Sequence, residues 1–209
     1  MTPVKVLAVR YLPNASAALL THLGVDLSYP SLAMVTTDCD DATYIALDGA
    51  TKAADVEVVY GRSLYAGAGN ATTPNAGEVI GILAARTPGD ARSGMEAALA
   101  LLGRIGFEER NGVPYLAYTV ASVGRFLAKE AGVKEGSALA YLIAPPLESM
   151  YGLDGALKAA DVVLCKLYGP PSETNFGGAL LTGSQAACQA ACDAFAQAVE
   201  EVALRPKEG

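Results

Sequence analysis

The sequence predicts an α+β chain made by tandem duplication: two modules, each a sheet with helices packed on it. Three observations predict this. The segment LDGATKAADVEVV at 47–59 recurs as LDGALKAADVVLC at 153–165, identical at nine of thirteen positions. Upstream the match continues without a gap, SLAMVTTDCDDATYIALDGATKAADV (31–56) lying against SALAYLIAPPLESMYGLDGALKAADV (137–162). Downstream, each copy passes through a strand-like stretch, a long loop, a second apolar run and an Ala-rich helix. Self-similarity on this scale marks one supersecondary unit made twice. The split is expected near Gly106 to Gly112, giving modules 1–108 and 109–209.

In chain order, VKVLAVRYL reads as a strand, followed by a short helix from about Ser16 to Leu23. SLAMVTT is a buried type of strand. DDATYIALDGATKAA is a helix whose opening acids suit the positive end of the helix dipole. VEVVYG alternates enough for a strand, and EVIGILAA is another. TPGDARSGMEAALALL is a helix with Thr87 as N-cap and Pro88 at the first helical position. In the second copy, TGSQAACQAACDAFAQAVEEVA places Ala187, Ala191, Phe195, Val199 and Val202 along one helical stripe. The small residues on these helices predict close approach of helix to sheet. Two long loops, Arg62 to Ala76 and Gly169 to Phe176, occupy the same place in their repeats; loops of this length in a compact repeat are usually functional.

Composition limits the function classes. Hydrophobic residues make up 52% of the 209 residues and charged residues 18%, against about 25% charged in a typical soluble domain. The longest uncharged run, Thr174 to Cys192, is interrupted by Asn175, Gly177, Gly178, Gly183, Ser184 and Gln185, so no membrane partner is expected. An oligomer whose subunits cover one another's apolar faces accounts for the surplus. A net charge of -7 argues against a nucleic-acid partner. MTPVKVLAVR has too short an apolar stretch for a secretory signal, so a cytoplasmic location is expected, in which Cys39, Cys165, Cys188 and Cys192 stay reduced.

Candidate chemistry is sparse. Asp38, Asp40 and Asp41 follow a hydrophobic strand, and carboxylates two apart at a strand end suit a magnesium-dependent phosphatase. The same residues suit a helix-capping cluster, and the second copy has APPLE at the same place, with none of the three aspartates. Cys188 and Cys192, one helical turn apart, make half a zinc site at best. YAGAGNAT lacks the third glycine of a dinucleotide fingerprint, and GGALLTGSQ lacks the lysine of a phosphate-binding loop. The single histidine, His22, has no evident partner. No catalytic group, metal site or cofactor is expected. A small-molecule binding protein of duplicated α+β modules stays open as an alternative to both enzyme and structural protein.

The repeated D-x-x-x-K-A-A-x-V, at Asp48 to Val56 and Asp154 to Val162, resembles the signature helix of bacterial microcompartment shell proteins. DCDDATYIALDGATKAADVEVVYGRSLYAGAGNA, PPSETNF and ALLTGSQAAC are similar to the tandem-domain, ethanolamine-utilisation type of that family. VASVGRFLAKEAG stands where the family has a more polar Ser/Thr-rich segment, and the middle linker ERNGVP is brief. The resemblance implies two circularly permuted shell domains, each an antiparallel sheet with packed helices. It implies a homotrimer with pseudo-sixfold symmetry that meets other shell proteins edge to edge around a cytoplasmic compartment. Lys52 and Lys158 are then tile-edge residues. Arg62, Ser63, Leu64, Tyr65 and Ala66, with Ser172, Glu173, Thr174, Asn175 and Phe176, are then loops of a gated central pore, to which Gly67, Gly69, Gly177 and Gly178 lend freedom. Asp40, Glu78 and Phe107 are then positions of a small pore that binds metabolites such as ethanolamine.

Overall fold

The computed structural model describes residues 1–63, 77–170 and 175–207. The chain divides into two compact units. The first comprises Pro3–Gly106 with Gly124–Leu127, and the second comprises Met1–Thr2, Phe107–Val123 and Ala128–Gly209.

The first unit carries β1 (Val6–Leu12), α1 (Ala17–Leu23), β2 (Ser31–Thr37), α2 (Asp40–Ala53), β3 (Val56–Ser63), β4 (Val79–Ala85) and α3 (Pro88–Leu102). The second carries β5 (Glu108–Arg110), β6 (Val113–Val120), β7 (Ala138–Ala144), α5 (Pro146–Ala159), β8 (Val162–Tyr168), β9 (Gly177–Gly183) and α6 (Gln185–Leu204). The helix α4 (Arg125–Ala131) begins in the first unit and ends in the second. The sheets are antiparallel and run β1-β2-β4-β3 and β5-β6-β7-β9-β8, so the duplicated strands keep one order. A bulge between Val58 and Tyr60 in β3 returns between Leu164 and Lys166 in β8, so the repeat extends to a local irregularity.

Each element follows from its residues. In α2, Ala42, Ile45, Ala46, Leu47 and Ala50 are buried at helical spacing, while Asp40 and Asp41 open the helix and Lys52 closes it. In α3, the Thr87 hydroxyl accepts from Asp90 N–H at 3.1 Å and donates to its carboxylate at 2.6 Å. Pro88 follows at the first position, as expected. In α6, Ser184 caps by accepting from Ala187 N–H at 3.1 Å, and Phe195 and Val199 are fully buried. Gly94 lets α3 lie on the sheet: a Cβ there would stand 2.8 Å from Val56 Cγ1. The second core joins Tyr115, Leu142, Leu153, Leu181, Phe195 and Val199.

Three expectations need correction. Arg62 and Ser63 belong to β3 rather than to a loop, because they pair with Ile80 and Val79 of β4. Gly177 and Gly178 are strand residues of β9, paired with Ala144 and Ile143; a Cβ on Gly178 would run into the Leu142 carbonyl, so glycine serves packing there. ERNGVP is no linker but a hairpin: Arg110 pairs with Val113 across Asn111 and Gly112, both at positive φ (49° and 82°). Asn-Gly is the preferred pair for such a two-residue turn.

Candidate functional site

Acidic groups of the first unit gather where β2 ends and α2 begins. Thr37, Thr43 and Cys39 set this corner. The Thr43 hydroxyl donates to Cys39 O at 2.7 Å, and Thr37 Oγ1 accepts from Cys39 N–H at 3.1 Å. Asp38 is exposed and accepts from Lys5 N–H at 2.7 Å. Asp40 is buried and accepts from Asp41 N–H at 2.9 Å, so its carboxylate satisfies a donor of the helix start. Glu78 N–H donates to Thr37 O at 2.8 Å, which holds Glu78 beside the same strand end.

The electrostatics of the corner are one-sided. Burial, then the carboxylates of Asp40 and Asp38, raise the Glu78 pKa above the ordinary glutamate range. Burial first, and then Asp41, push the Cys39 thiol far up, so it is not a nucleophile at neutral pH. A cation placed beside Glu78 would relieve the unfavourable effect of the neighbouring carboxylates on its charged form. Among the described residues, no group of three or more His, Cys, Asp or Glu side chains is arranged to hold a metal ion. Phe107 lies in the second unit, where its ring meets Phe176 at 5.6 Å between centroids and its carbonyl accepts from Thr2 N–H at 2.6 Å.

The two signature lysines differ in setting. Lys158 pairs with Asp154 at 2.6 Å, and the Asp154 side chain is 63% exposed. Lys52 pairs with Asp48 at 3.4 Å, but the Asp48 side chain is 0% exposed. Asp48 accepts from Gly124 N–H at 2.8 Å and from Leu127 N–H at 2.9 Å, and so caps α4. Beside it, Thr51 Oγ1 accepts from Arg125 N–H at 3.2 Å, and the Arg125 guanidinium donates to Val56 O at 2.6 Å. Sequence reasoning missed this clip because its halves are 76 residues apart. A signal existed: α1 has Ser16 as its cap, while α4 opens on Gly124, which has no side chain to cap it.

Of the proposed pore residues, Ser63 Oγ lies 2.6 Å from Tyr44 Oη, and the Arg62 guanidinium lies over the Tyr60 ring at 5.8 Å. Asn175 and Phe176 precede β9. Leu64, Tyr65, Ala66, Ser172, Glu173 and Thr174, with Gly67 and Gly69, lie outside the described residues. No helix among the described residues is long and apolar enough to cross a membrane.

No protein-family model matches the chain. It is 56% identical over 205 residues to bacterial microcompartment shell protein EutL of Clostridium perfringens, covering 96% of this chain and 94% of that one. It is 47% identical over 205 residues to EutL of Escherichia coli, with the same coverage. The solved structure of ethanolamine utilization protein EutL from Leptotrichia buccalis superposes with a TM-score of 0.95 at 53% identity, over 100% of this chain and 98% of that one. The chain belongs to the EutL family of bacterial microcompartment shell proteins.

Proposed function

We propose that this chain forms a tile of a cytoplasmic microcompartment shell, three copies closing into a flat pseudohexamer that passes metabolites and catalyses nothing. The observation that carries the reading is the duplicated sheet, with the same strand order and the same bulge in both units of a EutL-family chain. Two like units per chain give six around a closed threefold axis. The magnesium-phosphatase alternative lacks support, because Asp38 and Asp40 accept from backbone N–H groups and no metal-holding cluster converges among the described residues.

In this reading the two segments proposed for a gated central pore, 62–66 and 172–176, control what crosses the tile. Asp40 and Glu78 attract an ammonium-bearing metabolite such as ethanolamine at a small pore. Clustered carboxylates suit such a cation, since each lowers the cost of bringing it to the others. Lys52 and Lys158 meet neighbouring tiles.

Light scattering coupled to size exclusion tests the tile. The expected mass is three chains; a monomer at micromolar concentration rejects it.

A further inference from the structure

We propose that the face formed by α5 and β8 is a docking surface for a second copy of this chain, and that its occupant is that copy's α1. The contact rests on the closed tile proposed above and names the residues that close it.

Among the described residues, this surface gathers nearly half of the exposed large apolar side chains. Leu147, Met150, Tyr151 and Leu157 on α5 and Leu164 and Leu167 on β8 are all exposed, Leu147 at 61%, and Leu164 and Leu167 pair with Leu181 and Ala179 of the helix-side core, so they share the α5 side of the sheet. Clustered exposure of this kind marks an interaction site. The first repeat says what covers it. Shifting by 106 residues carries Leu157 to Thr51, Asp154 to Asp48 and Leu167 to Gly61. Thr51 and Asp48 are buried and bonded to the backbone of Gly124, Arg125 and Leu127. Phe126 closes over Gly61, where a Cβ would stand 3.7 Å from the ring, and meets Tyr44 with 6.0 Å between centroids. The start of α4 therefore covers the α2–β3 face.

The counterpart of α4 in the first repeat is α1. Both end on a glycine in the left-handed region, Gly24 at φ 69° and Gly132 at φ 67°. Both carry the same bond after it, Val25 N–H to Leu20 O at 2.9 Å and Val133 N–H to Ala128 O at 3.0 Å. That fixes a shift of 108, which pairs Ala17 with Arg125 and Leu19 with Leu127. Leu127 is 1% exposed, whereas Leu19 is 40% exposed. So one repeat has an uncovered acceptor face, and the other has the uncovered helix that fits it.

Each chain offers one donor helix and one acceptor face, so the contact is head to tail and must close into a ring. The polar clip is not copied. Ser16 already caps α1 by accepting from Leu19 N–H at 3.3 Å, and Asp154 keeps Lys158. The inter-chain version is correspondingly more apolar, with Leu157 in place of Thr51.

Arg125 N–H lies 3.2 Å from Thr51 Oγ1, so Ala17 of one copy is placed beside Leu157 of the next. The test is the full chain carrying Ala17→Cys with Leu157→Cys, oxidised with diamide and run on a non-reducing gel. Covalent two-chain and three-chain species are expected from the double variant and not from either single variant. As a second measurement, Leu157→Glu is expected to weaken self-association at least about tenfold by dilution light scattering. An intact wild-type trimer without the cross-link, or one insensitive to Leu157→Glu, overturns the contact and leaves the tile standing. A monomeric wild-type chain overturns both.

Discussion

Two aspartates at matching positions of the repeat do different work. Asp154 is an exposed partner of Lys158, whereas Asp48 is buried and receives two backbone N–H groups of the α4 start. A buried donor left without an acceptor costs about 1–3 kcal/mol, so Asp48→Ala is expected to destabilise the chain by about 3 kcal/mol in urea titrations. Asp154→Ala is expected to change stability by less than about 0.5 kcal/mol, as for exposed pairs. Equal effects of the two substitutions would remove the clip from the account.

Glu78 is the second informative residue. Its raised pKa means that the folded chain holds the proton more tightly than the unfolded chain. The charged form therefore disfavours folding at neutral pH, and this penalty is relieved as pH falls through the folded pKa. Glu78→Gln is accordingly expected to raise the melting temperature of the unliganded chain at pH 7. If the proposed small pore takes ethanolamine through charged Glu78, binding is expected to weaken over the range in which Glu78 takes up its proton, starting at a higher pH than an ordinary glutamate would give. Calorimetry across that range checks it; an Asp40→Ala chain that binds ethanolamine as well as wild type would reject the site.

Among the elements, the repeated helix is where sequence and structure agree most closely. The α2 pattern reads directly off its buried residues, and the α3 cap is Thr87, the residue its sequence names. The hairpin of β5 and β6 was as legible, through Asn111-Gly112, but its neighbours looked like a boundary between modules. The extension of β3 to Ser63 was not legible, because pairing with β4 decides it and Arg62 has no strand preference of its own. Lys52 and Lys158 close equivalent helices, but Gly124 packs on the Lys52 stem, with a Cβ there 3.0 Å from Lys52 Cγ. If both lysines form tile edges, Lys52→Ala with Lys158→Ala leaves the trimer intact in solution. Extended sheets seen by electron microscopy are then lost; sheets that persist remove the edge role.

At the scale of the whole chain, duplication is the property the sequence determined by itself. Nine matching positions of thirteen forecast equal strand order, and even the bulge recurs, because like sequences meet like local sterics. The surplus of apolar residues also foretold uncovered faces, and α5 with β8 is where they lie. Only the tertiary structure decided that the two copies are not equivalent in burial. One signature aspartate is enclosed by a segment 76 residues away, and its twin faces outward. Local pattern cannot carry that difference, since the same LDGA-x-KAAD sequence serves both. Burial depends on which distant segment closes over the helix, and the fold supplies that segment to the first copy alone.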